Sequence, residues 1–151
     1  MPIGSTTIPR GSGYIACFDK DGKYLWEKHS DAAQLVGRAA IDEVANIYVT
    51  GGIIDPVTKP GANFNGFIAK DATYHGAHFI IKMDKDGNNL WGAYDIVNAA
   101  PFSAGPALRN SGEVVYCGYF GGLMQWPGYR KDTFSFPSNS GYRPFLARLS
   151  T

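Results

Sequence analysis

One turn motif, met twice, limits what this chain can fold into. Asp19-Lys20-Asp21-Gly22 recurs as Asp84-Lys85-Asp86-Gly87, 65 residues on (84 − 19). Each copy follows a run of aromatic and branched residues, Tyr14-Ile15-Ala16-Cys17-Phe18 or Phe79-Ile80-Ile81-Lys82-Met83. Each is followed by a Leu-Trp pair, Leu25-Trp26 or Leu90-Trp91. Two β-like runs across an Asp/Gly turn read as a hairpin, so the chain carries the same hairpin twice. The copying extends further. Gly37 to Asp42, a short turn and Asn46-Ile47-Tyr48-Val49-Thr50-Gly51-Gly52 are matched by Ala107-Leu108-Arg109, the Ser111-Gly112 turn and Val114 to Tyr119. Gly51 and Gly118 stand 67 residues apart (118 − 51), and Pro144 to Ser150 copies His78 to Asp84.

The period is therefore roughly 65 residues, with four strands in each, and little helical signal competes. Asp31 to Val36 has room for one short turn. Composition agrees with a β-rich globular domain. Hydrophobic residues make up 44% of the 151, enough for a core, and 19 glycines with 9 prolines supply many turns. The net charge of +1 is scattered, so no electrostatic footprint for nucleic acid is present. No apolar run approaches the roughly 20 residues of a membrane-spanning helix. Residues 1–12 read as an extended leader rich in Gly, Ser, Thr and Pro, without the basic and apolar regions of a secretory signal. Two cysteines, Cys17 and Cys117, are too few for a disulfide framework, and buried free thiols are expected.

A repeat of about 40–50 residues holding four strands is the signature of a propeller blade. The longer period here comes from two insertions, Ile53 to Ala77 and Gly121 to Tyr142, which follow the same strand of the repeat. Insertions at one repeated position map to loops or added hairpins on one face, often the binding face. The strands divide into a partial blade (13–28), a full blade (38–95) and a second partial blade (105–150). A closed propeller typically needs four to eight blades. The expected fold is all-β, in four-stranded propeller-type blades, incomplete as a single chain.

The order Phe-x-Ala/Ile-Lys/Arg-Leu/Met, Asp-x-Asp-Gly-Asn, Leu-Trp, then Gly-Asn-x-Tyr-Val-Thr-Gly resembles the bacterial β-propeller repeats of the SBBP type. Phe145-Leu146-Ala147-Arg148-Leu149, Asn46-Ile47-Tyr48-Val49-Thr50-Gly51 and Val115-Tyr116-Cys117-Gly118-Tyr119-Phe120 carry the likeness. A more distant one is to quinoprotein-type propellers, whose blades carry a Gly-x-x-Leu-Trp turn and use their tryptophans for packing. The first resemblance implies a secreted or surface-attached protein. The chain departs from the pattern in its long insertions and in Ala45, which stands where a turn glycine is usual.

Residues for chemistry are sparse. The Asp-Lys-Asp-Gly turns place Gly at position four, where an EF-hand calcium loop needs it at six, so they read as hairpin turns. His29, His75 and His78 lack companions at zinc-ligand spacing, and His75-Gly76-Ala77-His78 is a loose pair inside an insertion. There is no Gly-x-Ser-x-Gly, no cysteine with a histidine nearby in sequence, and no glycine-rich loop opening a helix. The sequence predicts no catalytic residue, metal or cofactor. Trp26 and Trp91, at equivalent strand positions, are expected to pack between blades. Trp126, Tyr129 and Arg130, in a Pro- and Gly-containing insertion, are the candidate binding residues, because exposed aromatics beside Arg stack on sugars or anchor protein partners.

The reading is a non-catalytic structural or assembly module of a surface or extracellular protein. Its blades are completed by strand sharing between subunits, in a ring or filament, or by further blades of a longer chain. The alternative is a carbohydrate- or protein-binding propeller that uses the insertion loops.

Overall fold

A computed structural model describes residues 13–29, 34–54, 63–64, 67–68, 76–97, 102–109, 112–121, 123–125, 133–135 and 141–149. The chain is all-β: among these residues there is no helix, and every regular element pairs antiparallel. Among the described residues no helix is long and apolar enough to cross a membrane.

The first hairpin pairs β1 (Tyr14–Phe18) with β2 (Tyr24–His29). A second sheet is built on β3 (Gln34–Ile41), β4 (Ile47–Ile54), β7 (Gly76–Met83) and β8 (Asn89–Tyr94), each paired with the next in an antiparallel meander. Between β4 and β7 the first insertion contributes a small separate hairpin, β5 (Asn63–Phe64) with β6 (Phe67–Ile68). The third sheet pairs β12 (Val114–Gly121) with β10 (Phe102–Ser103) and β11 (Ala107–Leu108) on one edge. On the other edge it pairs with β15 (Tyr142–Leu149).

The central sheet is larger than a four-strand unit. After β8 the chain makes β9 (Ile96–Val97), whose Val97 sits opposite Gly76 of β7. β9 in turn carries β13 (Leu123–Gln125), and β13 carries β14 (Thr133–Ser135), giving seven strands in all. The second insertion is thus partly an added hairpin, and it leaves the third sheet to join the second.

Four turns share one geometry. In Asp19–Lys23, Asp42–Asn46, Asp84–Asn88 and Arg109–Glu113 the first amide donates to the fifth carbonyl, and the fourth amide donates back to the first carbonyl, at 2.9–3.0 Å. The fourth residue needs positive φ: Gly22, Gly87 and Gly112 have 79°, and Ala45 has 65°. Alanine there is strained, which is why glycine is usual at this turn position. In the first three turns the Asp carboxylate also accepts the amides two and four residues on, at 2.8–3.1 Å. The side chain thus holds the tight turn, as Asp does in Asx turns. The pairing irregularities at Cys17/Phe18 and Lys82/Met83 stand 65 residues apart (82 − 17), each just before its Asp-Lys-Asp-Gly turn.

The core lies on both faces of the central sheet, as the alternation of its strands requires. One face buries Ile47, Val49, Phe79, Ile81 and Met83 against Ile15 and Trp26 of the first hairpin. The opposite face buries Tyr48, Ile80 and Ala93 against Val114 and Tyr116 of the third sheet, with Phe145, Ala147 and Leu149 alongside. Three sheets are therefore stacked face to face.

Candidate functional site

The Trp126, Tyr129 and Arg130 trio lies outside the described residues, as does His75. The paired strands β13 and β14 bracket that segment, with Gln125 opposite Thr133. The two equivalent tryptophans pack between sheets. The Trp26 indole donates to the Lys85 carbonyl at 3.0 Å in the second hairpin's turn. Trp91 meets Tyr48 edge-on with ring centres 6.3 Å apart. Both cysteines are free. Cys117 lies on a strand with both edges paired, so β1 would have to displace β15 to bring Cys17 beside it.

The polar centre of the molecule is the pair His78 and Asp95, 17 residues apart in the chain. His78 lies on the β7 face that looks toward the third sheet, and Asp95 is the residue between β8 and β9. The chain fixes them locally: the Asp95 amide donates to the His78 carbonyl at 3.1 Å, and the His78 amide donates to Asp95 Oδ1 at 2.7 Å. His78 Nδ1 lies 2.8 and 3.0 Å from the two carboxylate oxygens. Its Nε2 lies 2.9 Å from the Tyr119 carbonyl, on β12 of the neighbouring sheet. Both side chains are 0% exposed.

A carbonyl only accepts, so Nε2 carries a proton and donates it to Tyr119. On the other side Nδ1 and the carboxyl share a second proton, and the buried unit is neutral overall. Neutrality matters, because an uncompensated charge at this depth costs several kcal/mol. Burial raises the Asp95 carboxyl above the usual carboxylate range, while the hydrogen bond and charge of His78 pull it down. The hydroxyl of Tyr116 is pushed well up by burial, and the Asp95 charge adds to this. Aromatic rings seal the unit: Phe145 centres 4.9 Å from His78 and 5.5 Å from Tyr116.

Chemically, this arrangement is a bolt between two sheets. Both imidazole nitrogens are engaged by protein groups, so neither presents a lone pair to a metal or a proton to a substrate. No group of three metal-ligating side chains occurs among the described residues. The usable sequence signal was His78 itself, a histidine inside the apolar run Ala77 to Ile81, which demands a buried partner.

The other notable features are two uncovered apolar surfaces at the ends of the stack. Leu146, Tyr142 and Tyr119 are exposed on the outside of the third sheet, and Tyr14 and Phe18 are exposed on the first hairpin. Comparison with known proteins gives no guide: no protein-family description matches the chain, and no characterised protein is significantly similar to it.

Proposed function

We propose that this chain is a non-catalytic structural module of a surface or extracellular protein. Its sheets serve as propeller-type blades, completed by a neighbouring subunit or by further blades of a longer chain. The observation that carries this reading is the central meander, covered on each face by a partial copy of itself. Among the described residues the first hairpin has the equivalents of β7 and β8, and in the third sheet β10 with β11, β12 and β15 stand for β3, β4 and β7. Sheet edges and apolar faces left this way are standing sites for association.

Light scattering across a range of concentrations tests it. Growth in mass above 16.4 kDa supports the reading. A constant monomer mass, with both end sheets protected against hydrogen exchange, refutes it for this chain.

A second reading, binding of carbohydrate or protein through Trp126, Tyr129 and Arg130, has support in the β13–β14 strands, which fix both ends of that segment to the large sheet. Trp126→Ala is then expected to abolish glycan or protein capture without altering the mass distribution.

A further inference from the structure

The stack contains the same junction twice. In the repeat, Val114, Tyr116, Phe145 and Leu149 of the third sheet stand where Ile47, Val49, Phe79 and Met83 stand in the central sheet. These residues form the leading face of each sheet, and each leading face is covered by the sheet before it. Covering is done by a trailing face: Ile15 and Trp26 at the first junction, Tyr48 and Ile80 at the second.

One face of each kind is left over. The trailing face of the third sheet carries Cys117, Leu146 and Arg148, in the places of Thr50, Ile80 and Lys82. The leading face of the first hairpin carries Tyr14, Ala16 and Phe18, in the places of Phe79, Ile81 and Met83. Covered, Ile80, Phe79 and Met83 are 0% exposed; uncovered, Leu146 is 73%, Tyr14 47% and Phe18 49%. Three large apolar side chains therefore stand in water at positions the fold elsewhere keeps dry.

We propose that the trailing face of the β15 sheet docks on the leading face of the β1–β2 hairpin of a second copy of this chain, head to tail. This rests on the structural reading above and names its contact. The occupant is a second copy because one chain carries both halves of the junction. Both junctions inside the stack join a trailing face to a leading face, so a symmetric like-on-like contact would have no precedent in the molecule. Arg148, also on the trailing face, pairs with Glu113 of its own sheet at 3.5 Å while its side chain stays 65% exposed. A head-to-tail contact leaves a free face at each end of any open chain of copies, so it produces a ring or a filament rather than a closed dimer.

The test uses the full chain with Leu146→Glu on one face and Phe18→Glu on the other. By sedimentation velocity, the unaltered protein should form species beyond the dimer. Each variant alone should stay monomeric, with association weakened at least tenfold. An equimolar mixture should form a dimer and stop there, since each variant keeps the face the other lost. A dimer in the mixture also shows that both variants fold. Tyr119→Glu and Tyr14→Glu repeat the experiment if either variant is insoluble. Assembly that both variants leave unchanged overturns the proposed contact while the structural reading stands. Loss of assembly in one variant but not the other, or no dimer from two folded variants, also overturns it. An unaltered protein that stays monomeric and folded removes the contact, and if both its end sheets are protected against hydrogen exchange it removes the reading as well.

Discussion

Replacing His78 by leucine tests the central bolt. Leucine fills much of the ring's place but removes both of its polar contacts. Asp95 then keeps the His78 backbone amide as a donor at 2.7 Å and loses the imidazole. The Tyr119 carbonyl loses its side-chain donor across the sheet junction. Removing one partner of a buried ion pair costs about 3–5 kcal/mol, a large part of the 5–15 kcal/mol of a typical domain. The remaining carboxyl escapes part of that cost by taking up a proton, which makes the loss depend on pH. The direction follows from Asp95, whose carboxyl is raised above 3.8 in the folded protein, burial being the cause and His78 the restraint. A raised carboxyl binds a proton that the unfolded chain has released, so its contribution is full below the unfolded value and is lost as pH rises through the folded one. Without His78 the restraint is gone, the window widens upward, and within it stability falls by about 1.4 kcal/mol per pH unit. Urea unfolding followed by tryptophan fluorescence at pH 5 and pH 8 should show a steeper loss for His78→Leu than for the unaltered chain. His78→Leu with Asp95→Leu should be more stable than His78→Leu alone, with a coupling of more than about 2 kcal/mol. Single costs that add to within about 0.5 kcal/mol in the double variant would refute the bolt.

Other expectations concern the repeated turns. Gly22→Ala and Gly87→Ala impose the same strain at φ 79°, but a Cβ at Gly22 meets nothing within 4 Å, while at Gly87 it meets Lys28 Cε at 2.8 Å and Trp26 at 3.2 Å. Gly22→Ala should cost about 1–2 kcal/mol and Gly87→Ala measurably more, read as urea midpoints; equal costs would mean the first hairpin is not seated on that turn in solution. Ala45→Gly should raise stability by up to about 1 kcal/mol by relieving φ 65°. A lower melting temperature for that variant would contradict the strain. Asp42 is raised by burial but lowered more by the bonds from Asn46, Val44 and Tyr48, and Asp84 is lowered chiefly by the Asn88 side chain. Both therefore titrate below 3.8 in the fold, so their stabilisation is present above that value and is lost as pH falls through the lowered ones. Carboxyl NMR titration of the folded chain should find both among the last to protonate.

The local parts of this fold were open to sequence reading because their causes are local. Asp-x-Asp-Gly sets a turn by its own side chain and by glycine at positive φ, and Ala45 stands out at the matching position. The pairing of β3 with β4 and of β7 with β8 follows from alternation and turns. What escaped were pairings between distant segments: β9 returning to β7, and β13 leaving the third sheet to lie beside β9. Strands of two or three residues carry no period to detect. His78 and Asp95 escaped for a related reason. They are 17 residues apart, one on β7 and the other just past β8, and the fold of the second hairpin brings their backbones within hydrogen-bond reach.

The step of β13 from the third sheet to the second makes the two ends of the stack mechanically unlike. The third sheet is tied to the central one by continuous backbone through β12 and β13, by the His78 bond to Tyr119 and by Thr50, whose hydroxyl donates to the Ala104 carbonyl at 3.0 Å. Separating those layers means breaking several bonds together. Among the described residues the first hairpin is paired only with itself, and it rests on its neighbour through Ile15, Trp26 and the indole bond to Lys85. Under tension on the chain, that hairpin should peel away first and at low force. The remaining two sheets would then bear the load as one piece.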